Sequence, residues 1–227
     1  MKTLKVHSAY NTLSGEVGSE AIMQGSPVTV LRLYGCNLSC PYCDARDAVD
    51  GGTFQEMTTR ETLKLLAPLR EKTGKLLITG GEPLLQQEGL EELIDNVSSS
   101  SIIVETNGSI SPQPFWDGYM AYFVVDIKRF GSELCFNPCW FNQTVSKRVS
   151  FFKFVVQNEE DIKWVFSFVE GLGDIRYDFR FAASPAMDVN NLEASFVLTN
   201  MLAKKLIEHA HLDIHLNLQL HKLCNVE

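Results

Sequence analysis

The stretch Leu31-Arg32-Leu33-Tyr34-Gly35-Cys36-Asn37-Leu38-Ser39-Cys40-Pro41-Tyr42-Cys43-Asp44 sets three cysteines in a C-x3-C-x2-C loop directly behind an apolar run, Val28-Thr29-Val30-Leu31-Arg32-Leu33. Three thiolates with no His or second cysteine pair at finger spacing nearby do not close a structural zinc site, which takes four protein ligands. They suit a cubane [4Fe–4S] cluster. Protein-filled clusters take four cysteines, so three leave one iron open to a small molecule. Gly35 and Pro41 shape a tight path, and Tyr42 is placed to pack over whatever binds the open iron. The competing reading, buried cysteines acting as small apolar residues, does not account for the spacing.

Outward from this loop, short β-rich runs recur at residues 75–79, 101–105, 122–126, 151–156, 175–182 and 212–218. Most of the early ones are near-continuous apolar runs, as expected of parallel strands covered on both faces. Helical patterns lie between them. Thr58-x-x-Glu61 is a capping box ahead of Leu63, Leu65 and Leu66, with Pro68 bending or ending that helix. A second helix carries Leu90, Leu93, Ile94 and Val97, and Asn158 caps a third through Ile162, Trp164, Val165 and Phe168. The longest spans about residues 190–209, with Phe196, Val197, Met201, Leu202 and Leu206 as its apolar stripe. Strand–helix alternation implies right-handed βαβ units in an α/β fold, a mostly parallel sheet with outer helices forming an open or closed TIM-like barrel. Chemistry in such barrels sits at the carboxyl ends of the strands. The cysteine loop after Leu33, Gly80-Gly81-Glu82 after Thr79, Thr106-Asn107-Gly108 after Glu105, and Asp126-Ile127-Lys128 all fall there.

Size and charge bound the rest. A chain of 227 residues with 45% hydrophobic content buries one good core, so a single domain over residues 1–227 is expected. Net charge is −8, which argues against an extended phosphate-binding surface and for a small-molecule substrate rather than nucleic acid. No stretch reaches the roughly 18 apolar residues of a membrane span. The start, Met1-Lys2-Thr3-Leu4-Lys5-Val6-His7, lacks an apolar export signal, and a thiolate cluster needs a reducing compartment, so the cytoplasm is expected. Cys135, Cys139 and Cys224 lack a fourth thiol for a second protein-filled cluster and read as ordinary core or surface cysteines. His209, His211 and His215 read as solvated or hydrogen-bonded.

The turn Thr79-Gly80-Gly81-Glu82-Pro83 strips two side chains from a strand end, exposing backbone to a ligand, and places a carboxylate suited to an ammonium. A C-x3-C-x2-C loop followed by Gly-Gly-Glu-Pro resembles the radical SAM superfamily, in which the open iron binds and reduces S-adenosylmethionine (SAM). Beyond that common ground, Thr12-Leu13-Ser14-Gly15-Glu16, Arg32 to Leu38, Cys43-Asp44, Ile78 to Gln86, Val104 to Gly108 and Leu218-Gln219-Leu220-His221-Lys222-Leu223 look like the 7-carboxy-7-deazaguanine synthase family (QueE). The resemblance implies a trimmed, partial radical SAM barrel, a homodimer, and an electron donor such as flavodoxin or ferredoxin. The activity it implies is conversion of 6-carboxy-5,6,7,8-tetrahydropterin to 7-carboxy-7-deazaguanine with loss of ammonia, a lyase reaction on the route to queuosine.

By the same resemblance Cys36, Cys40 and Cys43 hold the cluster. Tyr42, Cys43, Asp44, Gly80, Gly81, Glu82, Glu105, Thr106, Asn107, Asp126, Ile127, Lys128, Ser184, Pro185, Ala186 and Met187 hold SAM. Leu13, Ser14, Gly15, Glu16, Arg32, Thr79, Gln219 and His221 hold the pterin, with Arg32 suited to a bidentate grip on its carboxylate. Two positions depart from the pattern. Ser14 stands where the family carries Gln. Ala45 stands where it carries the Thr or Ser oxygen that binds Mg2+, so that the ion either rests on Asp44, water or substrate or is absent. Alternative readings are a related lyase acting on queuine or another 7-deazaguanine base, a glycyl-radical activating enzyme, and an iron–sulfur electron carrier.

Overall fold

The computed structural model describes residues 2–97, 101–119 and 121–226; Met1 and Glu227, the ends of the expected domain, lie outside them. The amino-terminal part holds β1 (Thr3–Leu13), β2 (Pro27–Leu33), α1 (Arg46–Val49), β3 (Gln55–Thr58) and α2 (Thr59–Thr73). The centre holds β4 (Lys75–Gly80), α3 (Gln87–Asp95), β5 (Ser101–Thr106), β6 (Ala121–Asp126) and the hairpin β7 (Lys128–Phe130) with β8 (Glu133–Cys135). There follow α4 (Gln143–Ser146), β9 (Val149–Val156), α5 (Glu159–Gly171), β10 (Phe181–Pro185), α6 (Leu192–Glu208), β11 (Ile214–Leu216) and α7 (Leu220–Cys224).

The main sheet runs β11-β10-β9-β6-β5-β4-β2-β1-β3. From β2 to β11 every pairing is parallel, and β1 is antiparallel to both its neighbours. Its two ends do not pair, so the barrel is partial. Period-two alternation then builds both layers. One face buries Leu31, Leu33, Ile78, Val104, Phe123, Phe152 and Phe154 under the helices. The other sets Val30, Leu77, Ile103 and Val124 into a small apolar floor. Two residues further along those strands the same face carries Arg32, Thr79, Glu105 and Asp126, all lining a cavity above that floor.

Local signals act as expected at several ends. The Thr58–Glu61 capping box forms, and Gly74 closes α2 with φ 65°. Pro68 does not end α2, because the two caps and buried Leu66 hold the helix through it. Asn158 caps α5 by accepting from the Asp161 N–H.

Four expectations need correction. Residues 175–182 are not one strand: a 3₁₀ turn occupies Gly173–Asp178, with Tyr177 turned to solvent, and β10 begins only at Phe181. The alternation of Arg176, Asp178 and Arg180 mimics strand period where no neighbour buries the apolar partners. The run at 212–218 shrinks to three residues, because Leu212 closes a 3₁₀ turn and Asp213 is left-handed at φ 50°. Val97 lies past the end of α3, though it is buried. On α6, Phe196 and Val197 are exposed, while Leu202 is buried and Leu198, Met201 and Leu206 pack against the core. Apolar residues stand on both sides of this helix, so periodicity alone does not choose its inner face.

Candidate active site at the carboxyl end of the sheet

The cavity has a volume of about 670 Å³ and is lined by the three loop cysteines together with groups from β1, β2, β4, β5, β6, β9 and the carboxyl tail. Close backbone packing fixes its rim. Gly81 N–H donates to Leu33 O at 3.0 Å and Glu82 N–H to Gly35 O at 2.8 Å, stitching the Gly-Gly turn onto the start of the cysteine loop. A Cβ at Gly81 would stand 2.1 Å from Gly35 O, a backbone atom that cannot swing away. Gly81→Ala should therefore cost about 1–3 kcal/mol. In a chain this size that lowers the melting temperature by roughly 2–12 °C. A thermal scan matching wild type would show that the two turns do not rely on this approach.

Glu82 does not face the cavity. It is 0% exposed and accepts from Leu84 N (2.9 Å), Thr106 Oγ1 (2.8 Å) and Asn107 N (2.7 Å). The carboxylate matched above to an ammonium is thus a strut locking the ends of β4 and β5 together. Asn107 continues the brace by donating to Asn37 Oδ1 at 3.0 Å, and Asn37 donates to Ser109 Oγ at 2.9 Å. Arg46, from α1, donates to Cys40 O at 2.8 Å. Ser14, Ile127, Ser184 and Pro185 are buried beside the cavity rather than in its lining. Each is an inward-facing or backbone-paired position next to a lining residue. The other residues singled out by sequence, including Tyr42, Ala186 and Met187, line it.

Burial pushes the Cys36 and Cys40 thiols up. All three loop thiols are free, line one wall, and lie within electrostatic reach of one another. This donor set fits an iron–sulfur cluster, whose binding requires thiolates. Among the described residues no three His, Cys, Asp or Glu groups converge on a single ion.

A charged network crosses the floor of the cavity. Lys153, 6% exposed on β9, binds Glu16 Oε2 and lies 3.1 Å from Asp126 Oδ1. Lys128 donates to Asp126 Oδ2 at 2.6 Å and lies 5.6 Å above the Tyr42 ring. Burial opposes ionisation of Asp126, but Lys128 and Lys153 outweigh it and hold its carboxyl below the usual range. Burial and the Glu16 charge push Glu105 up to about 7, against Lys153 and a hydrogen bond to Thr79. Burial pushes Tyr42 up to about 12. Arg32 Nη2 donates to Tyr10 Oη at 2.8 Å, and its guanidinium stands 5.8 Å from that ring.

The radical SAM superfamily model matches residues 30–117. A 7-carboxy-7-deazaguanine synthase of Hyperthermus butylicus is 35% identical over 181 residues, covering 73% of this chain and 75% of that protein. The chain belongs to the 7-carboxy-7-deazaguanine synthase family. A synthase of the same name from Pyrobaculum aerophilum is 33% identical over 174 residues, covering 75% and 74%. The crystal structure of QueE from Escherichia coli shares the fold with a TM-score of 0.71 over 96% of this chain and 94% of that one, at 18% identity.

The family motifs quoted above omit several lining residues, Lys153, Tyr10 and the Asp188-Val189-Asn190 segment after β10, and they carry Lys222 in the tail without assigning it a role. Lys153 carried a readable signal, a lone charge inside Phe151-Phe152-Lys153-Phe154-Val155-Val156. A lysine buried in an apolar strand must have carboxylate partners. The tail is fixed by Leu220 N–H donating to Gly15 O at 2.9 Å and by Gln24 Nε2 donating to Asn217 Oδ1 at 3.2 Å. His221 packs so tightly on Gly15 that a Cβ there would lie 1.5 Å from its Nδ1.

Proposed function

We propose that this chain is a radical SAM 7-carboxy-7-deazaguanine synthase, a carbon–nitrogen lyase that contracts the ring of 6-carboxy-5,6,7,8-tetrahydropterin and releases ammonia, in queuosine and 7-deazapurine biosynthesis. The observation that carries this reading is a single cavity lined both by the three cysteines and by Arg32, Glu16 and Gln219. When bound through Cys36, Cys40 and Cys43, the cluster, together with SAM, supplies one-electron reduction and the organic radical that initiates the reaction. Flavodoxin or ferredoxin is the class of electron donor.

The chain's own groups divide the cavity. Gly80 and Gly81 present bare backbone to the methionine part of SAM. Glu105, its carboxyl pushed up by burial, is placed to hydrogen-bond ribose hydroxyls. Tyr42 and the Asp126–Lys128 pair flank the same ligand. Glu16 is held by Lys153 and by Gln219 Nε2 at 3.0 Å, yet each carboxylate oxygen keeps a second lone pair for the N–H groups of the pterin's guanidine-like edge. Leu13, Gly15, Thr79 and His221 complete the pterin side. Arg32, steadied by Tyr10, takes the substrate carboxylate.

Arg32→Lys keeps the charge but loses the planar fork. Carboxypterin affinity should fall by roughly 1.5–3 kcal/mol, a charge-assisted hydrogen bond's worth, with SAM affinity hardly changed. Equal carboxypterin affinity in Arg32→Ala would remove Arg32 from that role.

A single domain is supported by one main sheet and one main core running from Leu4 to Leu212. The exposed α6 stripe of Leu192, Phe196 and Ile207 gives the expected homodimer an apolar face. No described helix is long and apolar enough to cross a membrane, and the cytoplasm remains the expected compartment because a thiolate-held cluster needs a reducing one. Thermal protection of the anaerobically reconstituted protein tests the substrate, since a ligand selective for the native state must raise stability. Stabilisation by 6-carboxytetrahydropterin supports the proposal. Stabilisation by queuine alone would favour the salvage-lyase reading instead.

A further inference from the structure

The cavity wall beside the cysteine loop holds an ion pair that the roles above leave unused. Lys222 Nζ, on α7, donates to Asp44 Oδ2 at 2.6 Å and to Gln219 Oε1 at 2.9 Å. Gln219 Nε2 in turn donates to the same Asp44 oxygen at 3.1 Å. The Lys222 side chain is only 12% exposed, and it lines the cavity. Its place is set by the architecture: α7 is anchored through Gly15 O and by Thr12 Oγ1 donating to Val226 O at 2.5 Å. The ammonium is thus built against Asp44 from the far end of the chain.

These surroundings do not fit Mg2+. Magnesium demands near-octahedral oxygen ligation. Ala45 lines the cavity without a side-chain oxygen, Asp44 Oδ2 already carries an ammonium and an amide, and the neighbouring Glu16 is held by Lys153 and Gln219. A dication placed at Asp44 would meet the Lys222 charge at hydrogen-bond range, so one of the two must leave.

We propose that Lys222 is the built-in cation of this site: its ammonium takes the place of a divalent ion beside Asp44, and its third N–H binds an oxygen of the substrate. Resting on the synthase reading, this makes the chain independent of magnesium, with its specificity for an oxygen-rich substrate edge set by the tail.

The test has two arms. In the first, EDTA-treated holoenzyme is assayed anaerobically with 6-carboxytetrahydropterin across a Mg2+ titration. Wild-type turnover should stay within about twofold, since no inner-sphere protein ligand awaits the ion. Lys222→Ala should bind the pterin at least about tenfold more weakly, as expected for loss of a charge-assisted hydrogen bond, and should gain a Mg2+ response. Lys222→Arg should retain much of the affinity and remain indifferent to Mg2+. In the second arm, Mn2+ uptake is followed by EPR on wild-type and Lys222→Ala holoenzyme with the pterin present. The alanine variant should take up one ion that wild type does not. Mn2+ bound equally by both proteins, or wild-type turnover that collapses in EDTA and returns with Mg2+, would overturn the proposal. Absence of pterin turnover in every protein would count against the synthase reading, and the Mn2+ comparison would still decide the role of Lys222.

Discussion

Replacing any one of Cys36, Cys40 or Cys43 by alanine should abolish both the iron–sulfur absorbance and reductive cleavage of SAM. A three-cysteine site has no spare ligand, since the fourth iron is reserved for a small molecule, so each substitution leaves two thiolates for a cluster that needs three. Cys135 and Cys139 stand apart from the loop. Cys139 faces Ser111 Oγ at 3.0 Å, and Cys135 lies on the β7–β8 hairpin outside the cavity lining. Cys135→Ala and Cys139→Ala should accordingly keep full cluster content and SAM cleavage. Anaerobic reconstitution followed by iron and sulfide quantitation reads the result. Full cluster content in all three loop variants would contradict the assignment.

Lys153→Met should be the most damaging single change away from the cysteines. The lysine is buried among Glu16, Asp126 and Glu105, and its removal strands negative charge in a low-dielectric floor. Removing one partner of a buried ion pair costs roughly 3–5 kcal/mol. For a chain of this size that is a fall in melting temperature of roughly 6–20 °C. The loss has a defined pH dependence. Lys153 lowers the Glu105 pKa, so the variant's Glu105 must rise beyond its present value of about 7. A carboxyl whose folded pKa exceeds its unfolded one favours the fold at acid pH and ceases to do so as pH climbs through the folded value. The gap between variant and wild type should therefore be largest above neutrality and shrink as pH falls below the folded value. Denaturant titration at two such pH values checks this. A gap independent of pH would mean that lost packing, not stranded charge, explains the defect.

The parts of the molecule legible in the sequence are those fixed by local pattern. The strands β2, β4, β5, β6 and β9 announce themselves because parallel strands covered on both faces are continuously apolar. Motifs placed directly after them had to share one end of the sheet. What stayed hidden depends on partners distant in sequence. β1 mixes polar and apolar residues and becomes a strand only by pairing with β2 and β3. Glu82 is consumed as a strut because Thr106 and Asn107 arrive 24 and 25 residues later. The Asp44–Lys222 contact joins residues 178 apart. α6 is ambiguous for another reason: both of its sides are apolar, and only packing against the sheet selects one.

The most direct test of the account is anaerobic turnover by the reconstituted protein supplied with SAM, a low-potential reductant and 6-carboxytetrahydropterin. Product is identified by mass and chromatographic coincidence with 7-carboxy-7-deazaguanine. The account predicts that this compound and ammonia form in equal amounts, and that neither forms without SAM. Intact cleavage of SAM with no 7-carboxy-7-deazaguanine from the pterin would contradict it.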